Sequence, residues 1–210
     1  MGGWCLKAFR FALILGLALC LTGCKGRTPE DTFIAAQQAL VSLESYSATL
    51  TYRVMDDEET REYRFNQWVS MPHSFKIILI TPDNLAGKII VSNGKEILIE
   101  HSKVEDSIKF NVKSLEQQRP LFIGDFLNSY LLSEEVGKRI HMEEDVEYVI
   151  LTCPAMDNKA LGNSQELWLR APKMTPVKLI NYNADEDISS LILFEEFDRS
   201  WKPEENFFDL

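Results

Sequence analysis

The sequence has few of the residues that carry catalysis. It holds three histidines, His73, His101 and His141, and none lies at metal-ligand spacing from another or from Cys153. It also lacks a nucleophile elbow, a P-loop, a dinucleotide-binding glycine motif and the HExxH helix motif. We expect the histidines to be exposed residues at strand ends. We therefore predict a protein that is not an enzyme and that uses no cofactor or metal.

The acidic residues do not form an evident acid–base pair either. They cluster at residues 56–59, 143–145 and 185–187, and each cluster falls in a predicted turn. Acid–base catalysis by two carboxyl groups needs a cleft in which their pKa values are pushed apart. We expect these turns to be solvated, where they could supply docking charge for a basic partner.

An excess of positive charge is also missing. The chain has 22 Lys and Arg against 32 Asp and Glu, a net charge of −10. Nucleic acids and anionic lipid surfaces are bound mainly through Lys and Arg. This balance argues against nucleic acid as a partner.

No apolar run is long enough to cross a membrane. About 14 uncharged residues separate Arg10 from Lys25, whereas a spanning helix needs ~20. With Lys7 and Arg10 before it, this run is typical of an export signal. It ends in Leu21-Thr22-Gly23-Cys24, which has the form of a lipobox.

The lipobox predicts a lipoprotein signal peptide over residues 1–23 and lipidation of Cys24. Residues 24–28 would then be a lipidated tether, and 29–210 one domain. Two acyl chains anchor a protein far better than one, so we expect the chain at the extracytoplasmic face of a membrane. The alternative is an ordinary secretory signal in which Cys24 is incidental.

The mature chain has no pair of free cysteines that could form an internal disulfide. Cys5 and Cys20 leave with the signal, Cys24 takes the lipid, and Cys153 remains alone. Cys153 lies in an apolar strand-like run, so we expect a small buried hydrophobic residue.

The remaining 187 residues read as mainly β with helices, an α+β fold. Thr28 and Pro29 start a helix that runs to about Glu44, and apolar spacing predicts a second helix after Pro120, from Ile123 to Leu131. Alternation and turn residues predict about 10–11 strands in antiparallel order, including a hairpin whose Asn93-Gly94 suits a type I′ turn. Several strands are apolar on both faces, which predicts a strongly curved sheet covered by two or more helices.

The aromatic residues do not decide whether the interior is filled or holds a ligand. Tyr52, Trp68, Phe110, Phe126 and Trp168 could line a lipid-binding cavity, but such residues usually fill cores, and we favour packing.

Short segments across the mature chain carry a resemblance. They are Trp68-Val69-Ser70-Met71-Pro72, Ser92-Asn93-Gly94-Lys95, Pro176-Val177-Lys178-Leu179 and Phe207. Their order resembles the LolA/LolB superfamily of envelope lipoprotein carriers and receptors. Residues 122–127, Phe-Ile-Gly-Asp-Phe-Leu, together with Cys24, look like the GerS-type germination lipoproteins of spore-forming Clostridia. LolA itself is soluble, whereas Cys24 predicts an anchor here.

The resemblance implies a LolA-like half-barrel without catalysis. It also implies a partner, because GerS-like proteins bind CwlD, a zinc amidase that makes the muramic-δ-lactam of spore cortex. We therefore expect a lipoprotein that supports a CwlD-like amidase in sporulation and germination. The alternative is a carrier or receptor that holds lipid or lipoprotein acyl chains in a cavity. The sequence does not decide whether the protein forms a homodimer, and we assign no ligand-binding residue beyond Cys24.

Overall fold

The computed structural model describes residues 28–56, 59–101, 104–111, 122–155 and 163–210, and not the side chains of 104–106. The chain divides into two units, Met1–Thr32 and Phe33–Leu210. The predicted signal peptide and Cys24 lie outside the described residues, as does most of the predicted loop 154–164. All eleven strands belong to the second unit.

The first helix, α1 (Pro29–Val41), begins where the sequence predicts it. The Thr28 hydroxyl accepts a hydrogen bond from the backbone N–H of Asp31 at 3.2 Å, and the Asp31 carboxylate accepts one from the backbone N–H of Thr28 at 3.1 Å. This reciprocal pair satisfies two donors at the helix start. The helix ends three residues before the predicted Glu44. Ala36 and Leu40 on the helix are buried, and so is Leu43 just after it.

The strands follow in the predicted order. They are β1 (Ser45–Met55), β2 (Thr60–Ser70), β3 (Ser74–Thr81), β4 (Lys88–Asn93), β5 (Glu96–His101), β6 (Val104–Asn111), β7 (Gly137–Glu143), β8 (Val146–Pro154), β9 (Ser164–Arg170), β10 (Thr175–Tyr182) and β11 (Ile188–Asp198). The second helix, α2 (Ile123–Leu132), lies between β6 and β7 in sequence. The α+β class, the antiparallel sheet and the number of strands are confirmed.

The eleven strands form one antiparallel sheet in the order β6-β5-β4-β3-β2-β1-β11-β10-β9-β8-β7. The chain builds one half as a meander from β1 out to β6. After α2 it builds the other half from β7 inward, until β11 pairs with β1. The two edge strands, β6 and β7, are therefore joined through the segment that holds α2. That the sheet curves into a half-barrel stays a prediction.

The two faces of the sheet differ in what they bury. On one face, alternate residues such as Leu50, Phe65, Leu167 and Ile192 join α1 and α2 in the main core. A smaller cluster of Ile150, Trp168 and Ile180 lies on the opposite face, because neighbouring residues in a strand point to opposite sides. We call these the core face and the outer face.

A β-bulge in β11 breaks the alternation once. Leu50 pairs with Phe194 and Thr49 pairs with Glu196, so one extra residue, Glu195, is accommodated between the two pairs. A bulge of this kind sets two consecutive residues of one strand against one residue of its neighbour. Both glutamates consequently lie on the outer face.

The hairpin between β4 and β5 corrects one prediction. Gly94 has a positive φ of 87°, but Asn93 is not among the residues with positive φ, so the type I′ turn is wrong. The Asn93 side-chain oxygen instead accepts hydrogen bonds from the backbone N–H groups of Lys95 and Glu96, at 2.9 and 3.0 Å. Asn closes the turn with its side chain, as in an Asx turn.

Candidate functional site

One side of α2 fixes the helix on the main core. Ile123 and Phe126 are fully buried and Tyr130 is nearly so, and the rings of Phe126 and Tyr130 stack at a centroid distance of 6.0 Å. Gln37 of α1 donates a hydrogen bond to the Tyr130 hydroxyl at 3.3 Å. The helix is thus held by packing and by a contact with α1.

The start of α2 lies tightly against the turn between β2 and β3. A Cβ atom on Gly124 would lie 2.9 Å from the sulfur of Met71, which is closer than such atoms approach. The Phe122 ring, one residue before the helix, lies 4.8 Å from the ring of Phe75 on β3. A side chain at position 124 would therefore displace the flexible end of the Met71 side chain.

An open groove of about 390 Å³ runs between α2, the end of α1 and the β2–β3 turn. We call it the α2 groove. Its lining is mostly apolar and includes Val41, Leu43, Met71, Pro72, Leu127 and Leu131. Val41 and Leu131 are 62% and 61% exposed.

Leu131 corrects the sequence analysis. Its spacing predicted a place in the apolar stripe of the helix, yet it points away from the core. Leu132 is also exposed. Ile123, Phe126 and Tyr130 already form the core side of this helix. Two further leucines at its end, Leu131 and Leu132, were the sequence signal for an exposed apolar site.

The chemistry of the α2 groove is that of a binding surface. His73, Asp125 and Asn128 are its main polar lining residues beside the apolar ones. Such a surface can take an apolar side chain or a short helix of a partner. Across the described ranges, no three His, Cys, Asp or Glu side chains are close enough to hold a metal ion.

The other predicted residues lie apart from the groove. Cys153 is 1% exposed, and burial raises the pKa of its thiol to about 12. His101 ends β5, whereas His141 lies within β7 rather than at a strand end, with its ring 5.3 Å from Trp168.

The aromatic residues proposed for a cavity separate onto both faces. Phe126 is buried in the main core, and Tyr52 and Phe110 pack against that core. Trp68 and Trp168 lie on the outer face, so they cannot line a cavity under the helices. The packing interpretation is confirmed for Phe126.

No helix in the described part of the chain is long and apolar enough to cross a bilayer. The two described helices have 13 and 10 residues. The predicted membrane anchor, lipid on Cys24, lies outside that part.

Solved structures share this fold at low identity. An uncharacterized conserved protein from Thermus thermophilus has a TM-score of 0.55 at 10% identity, covering 86% of this chain and 92% of its own. A LolA superfamily protein from Nitrosomonas europaea has a TM-score of 0.43 at 14% identity, covering 86% and 97%. At such identities the likeness concerns the fold alone.

A third structure holds a lipoprotein with its partner. The GerS lipoprotein, solved in complex with the CwlD amidase from Clostridioides difficile, has a TM-score of 0.46 at 22% identity, covering 83% of this chain and 98% of its own. Among curated proteins, none matches this chain significantly.

A family model provides the assignment. The model described as "Sporulation protein YdcC-like" matches residues 6–208, which is nearly the whole sequence. The chain belongs to the YdcC-like family of sporulation proteins.

Proposed function

We propose that this protein is a lipid-anchored envelope lipoprotein that binds and supports a cell-wall amidase during sporulation. Acyl chains on Cys24 hold it at the extracytoplasmic face of a membrane, and the domain from residue 29 onward docks a CwlD-like amidase without catalysis of its own. The choice of an amidase follows the resemblance to GerS-type lipoproteins, and membership of a sporulation family supports the setting.

The observation that carries the docking role is the exposed apolar lining of the α2 groove. Leu131 and Val41 come from two different helices and face the same open space. Burying such side chains in an interface favours a complex, because it removes apolar surface from water. The core side of α2 is already filled, so this exposed side is free to meet a partner.

Charge close in sequence to Leu131 suggests the kind of partner surface that fits. Glu134 and Glu135 follow Ser133, the C-cap of α2, and both are exposed. An apolar side chain flanked by Lys or Arg on the partner would be complementary to them. Exposed charges of this sort act mainly on the rate of association and on its salt dependence.

The direct test is binding to a purified CwlD-like amidase from the same organism, measured by biolayer interferometry with the intact lipoprotein in detergent. The variants Leu131→Asp and Val41→Asp place a charge in the groove. We expect each to weaken binding at least tenfold, because a buried charge without a partner is costly. Both positions are exposed, so the fold should persist.

Ile108→Asp is the matched control. Ile108 is 62% exposed but lies on the edge strand β6, outside the groove. Unchanged binding is expected for this variant. Loss of binding with Ile108→Asp alone would move the docking site to the sheet edge, and no binding by the unaltered protein would refute the amidase partner.

The carrier hypothesis needs space for acyl chains under the helices. Side chains of Ile123, Phe126 and Tyr130 fill the described interior beside α2, and this favours docking over carrying. Mass spectrometry of gently purified protein checks the point: lipid bound in addition to the Cys24 anchor would favour the carrier.

A further inference from the structure

A second depression lies on the outer face, whereas the α2 groove lies beside a helix that packs on the core face. It has a volume of about 300 Å³, and its polar and aromatic lining residues are Ser47, Thr49, Asn66, Trp68, Glu196 and Asp198. Three adjacent strands supply these side chains: Ser47 pairs with Trp68 and Asp198, and Thr49 pairs with Asn66 and Glu196. Its place in the middle of the sheet gives it a rigid floor. We call it the outer-face depression.

The bulge in β11 equips this depression with a carboxylate. Of the two outward glutamates, Glu195 is engaged by the Thr51 hydroxyl at 2.5 Å and by Arg64 at 2.7 Å. Glu196 lines the depression instead. Among the described residues, no Lys or Arg forms a salt bridge with it.

One hydroxyl in the depression lies within hydrogen-bond distance of two oxygens. The Thr49 hydroxyl lies 3.1 Å from the side-chain oxygen of Asn66 and 3.3 Å from a carboxylate oxygen of Glu196. A hydroxyl has one proton to donate. One of the two oxygens therefore receives no proton from Thr49, and a ligand O–H or N–H group could supply one.

An aromatic ring completes the site. Trp68 is half-buried, and its ring is held edge-on by Phe207 of the C-terminal segment at a centroid distance of 6.0 Å. A fixed indole with side-chain amide, hydroxyl and carboxylate groups beside it matches a sugar ring, which has an apolar C–H face and a rim of hydroxyls. Asp198 contributes less, because Ser200 donates to its carboxylate from both backbone and side chain.

We propose that the outer-face depression binds one carbohydrate ring; that it is of the amino-sugar class found in cell-wall glycans rests on the proposed function. Trp68 contacts the C–H face of the sugar, and Asn66 and Glu196 accept hydrogen bonds from its hydroxyl or amide groups. The volume lies at the lower end of the ~300–1,000 Å³ usual for small-ligand sites, which suits a single ring. This binding does not depend on the amidase, so it can be tested separately.

The test is isothermal titration calorimetry, in which tetra-N-acetylchitotetraose is titrated into the full chain in detergent. We expect saturable binding that Glu196→Gln and Asn66→Ala each weaken about tenfold, the loss typical of a hydrogen bond between ligand and a charged or buried group. Trp68→Leu should abolish binding. Since Trp68 also contacts Phe207, the two polar variants keep the test valid if this third variant unfolds.

Lys109→Gln is the matched control on edge strand β6, and it should bind as the unaltered protein does. The proposal is overturned if the sugar does not bind, or if Glu196→Gln and Lys109→Gln behave alike. It is also overturned if N-acetyl-lysine methylamide binds at Glu196 and the sugar does not, since the depression would then be a cation site.

Discussion

Arg139 on β7 donates two hydrogen bonds to the carboxylate of Glu166 on β9, at 2.9 and 3.1 Å. The two strands are separated by β8, so this pair ties the edge strand to the interior of the sheet. The same carboxylate accepts hydrogen bonds from the Trp168 indole at 3.1 Å and the Tyr182 hydroxyl at 3.3 Å. Glu166 is therefore the centre of a polar network on the outer face.

Glu166→Gln should lower the free energy of unfolding by about 1–3 kcal/mol, the range for hydrogen bonds to a charged group at a buried position. Urea denaturation measures the change. Glu62→Gln is the control, because Glu62 pairs with Arg53 at an exposed site where a salt bridge contributes about 0–1 kcal/mol. Equal losses for the two variants would mean that the Glu166 network adds no special stability.

Phe126→Ala should destabilise the protein by about 3–5 kcal/mol, because Phe126 is fully buried and its removal leaves a cavity. Leu131→Ala on the same helix should change stability by no more than about 0.5 kcal/mol, since Leu131 is exposed. Urea denaturation of the two variants checks this contrast. A large loss for Leu131→Ala would show that this residue belongs to the core rather than to a docking surface.

The Cys153 thiol should resist modification in the folded protein. Its pKa is raised from 9.0 to about 12 by burial, so at pH 8 almost no thiolate is present and the sulfur is inaccessible. Ellman's reagent should react with the mature lipoprotein only after unfolding in urea. Rapid reaction in native buffer would contradict the burial.

The same thiol predicts a pH dependence of stability. A folded pKa above the unfolded value favours the folded state fully below pH 9, and this contribution is lost as the pH rises through about 12. Unfolding curves of the unaltered protein and of Cys153→Ala, compared over this range, isolate the effect from the tyrosines. If the two proteins lose the same free energy of unfolding over this pH range, the contribution of Cys153 is refuted.

Cys24→Ser should abolish incorporation of labelled palmitate and release from the signal peptide, because the acylated cysteine is the processing site that the lipobox predicts. Gel mobility and label in whole cells provide the measurement. Cys20→Ser is the control within the signal, and it should be labelled and processed normally. Label retained by Cys24→Ser would place the lipid elsewhere or refute the anchor.

The sequence predicts most of the fold because its patterns are local. Alternation in β1 and the capping residues at Thr28 and Pro29 are sufficient to place those elements within a few residues. The prediction of a type I′ turn at Asn93-Gly94 is wrong, because the Asn93 side chain accepts the hydrogen bond of the Lys95 backbone N–H. Periodicity cannot detect such competition.

The candidate sites were harder to predict because they depend on distant segments. The α2 groove joins Val41 to Leu131, and no sequence pattern relates the two. The outer-face depression depends on a bulge that turns Glu196 outward, which simple alternation along β11 does not predict. The order of the strands within the sheet could not be inferred either, since β1 and β11 pair from opposite ends of the domain.

The measurement that tests the central claim most directly is the muramic-δ-lactam content of spore cortex, determined by mass spectrometry of muropeptides. Three strains are compared: one with the intact gene, one with the gene deleted, and one producing Leu131→Asp at equal protein level. A docking lipoprotein predicts that lactam is lost in the deletion strain and strongly reduced with Leu131→Asp. Unchanged lactam in the deletion strain would contradict support of a cortex amidase.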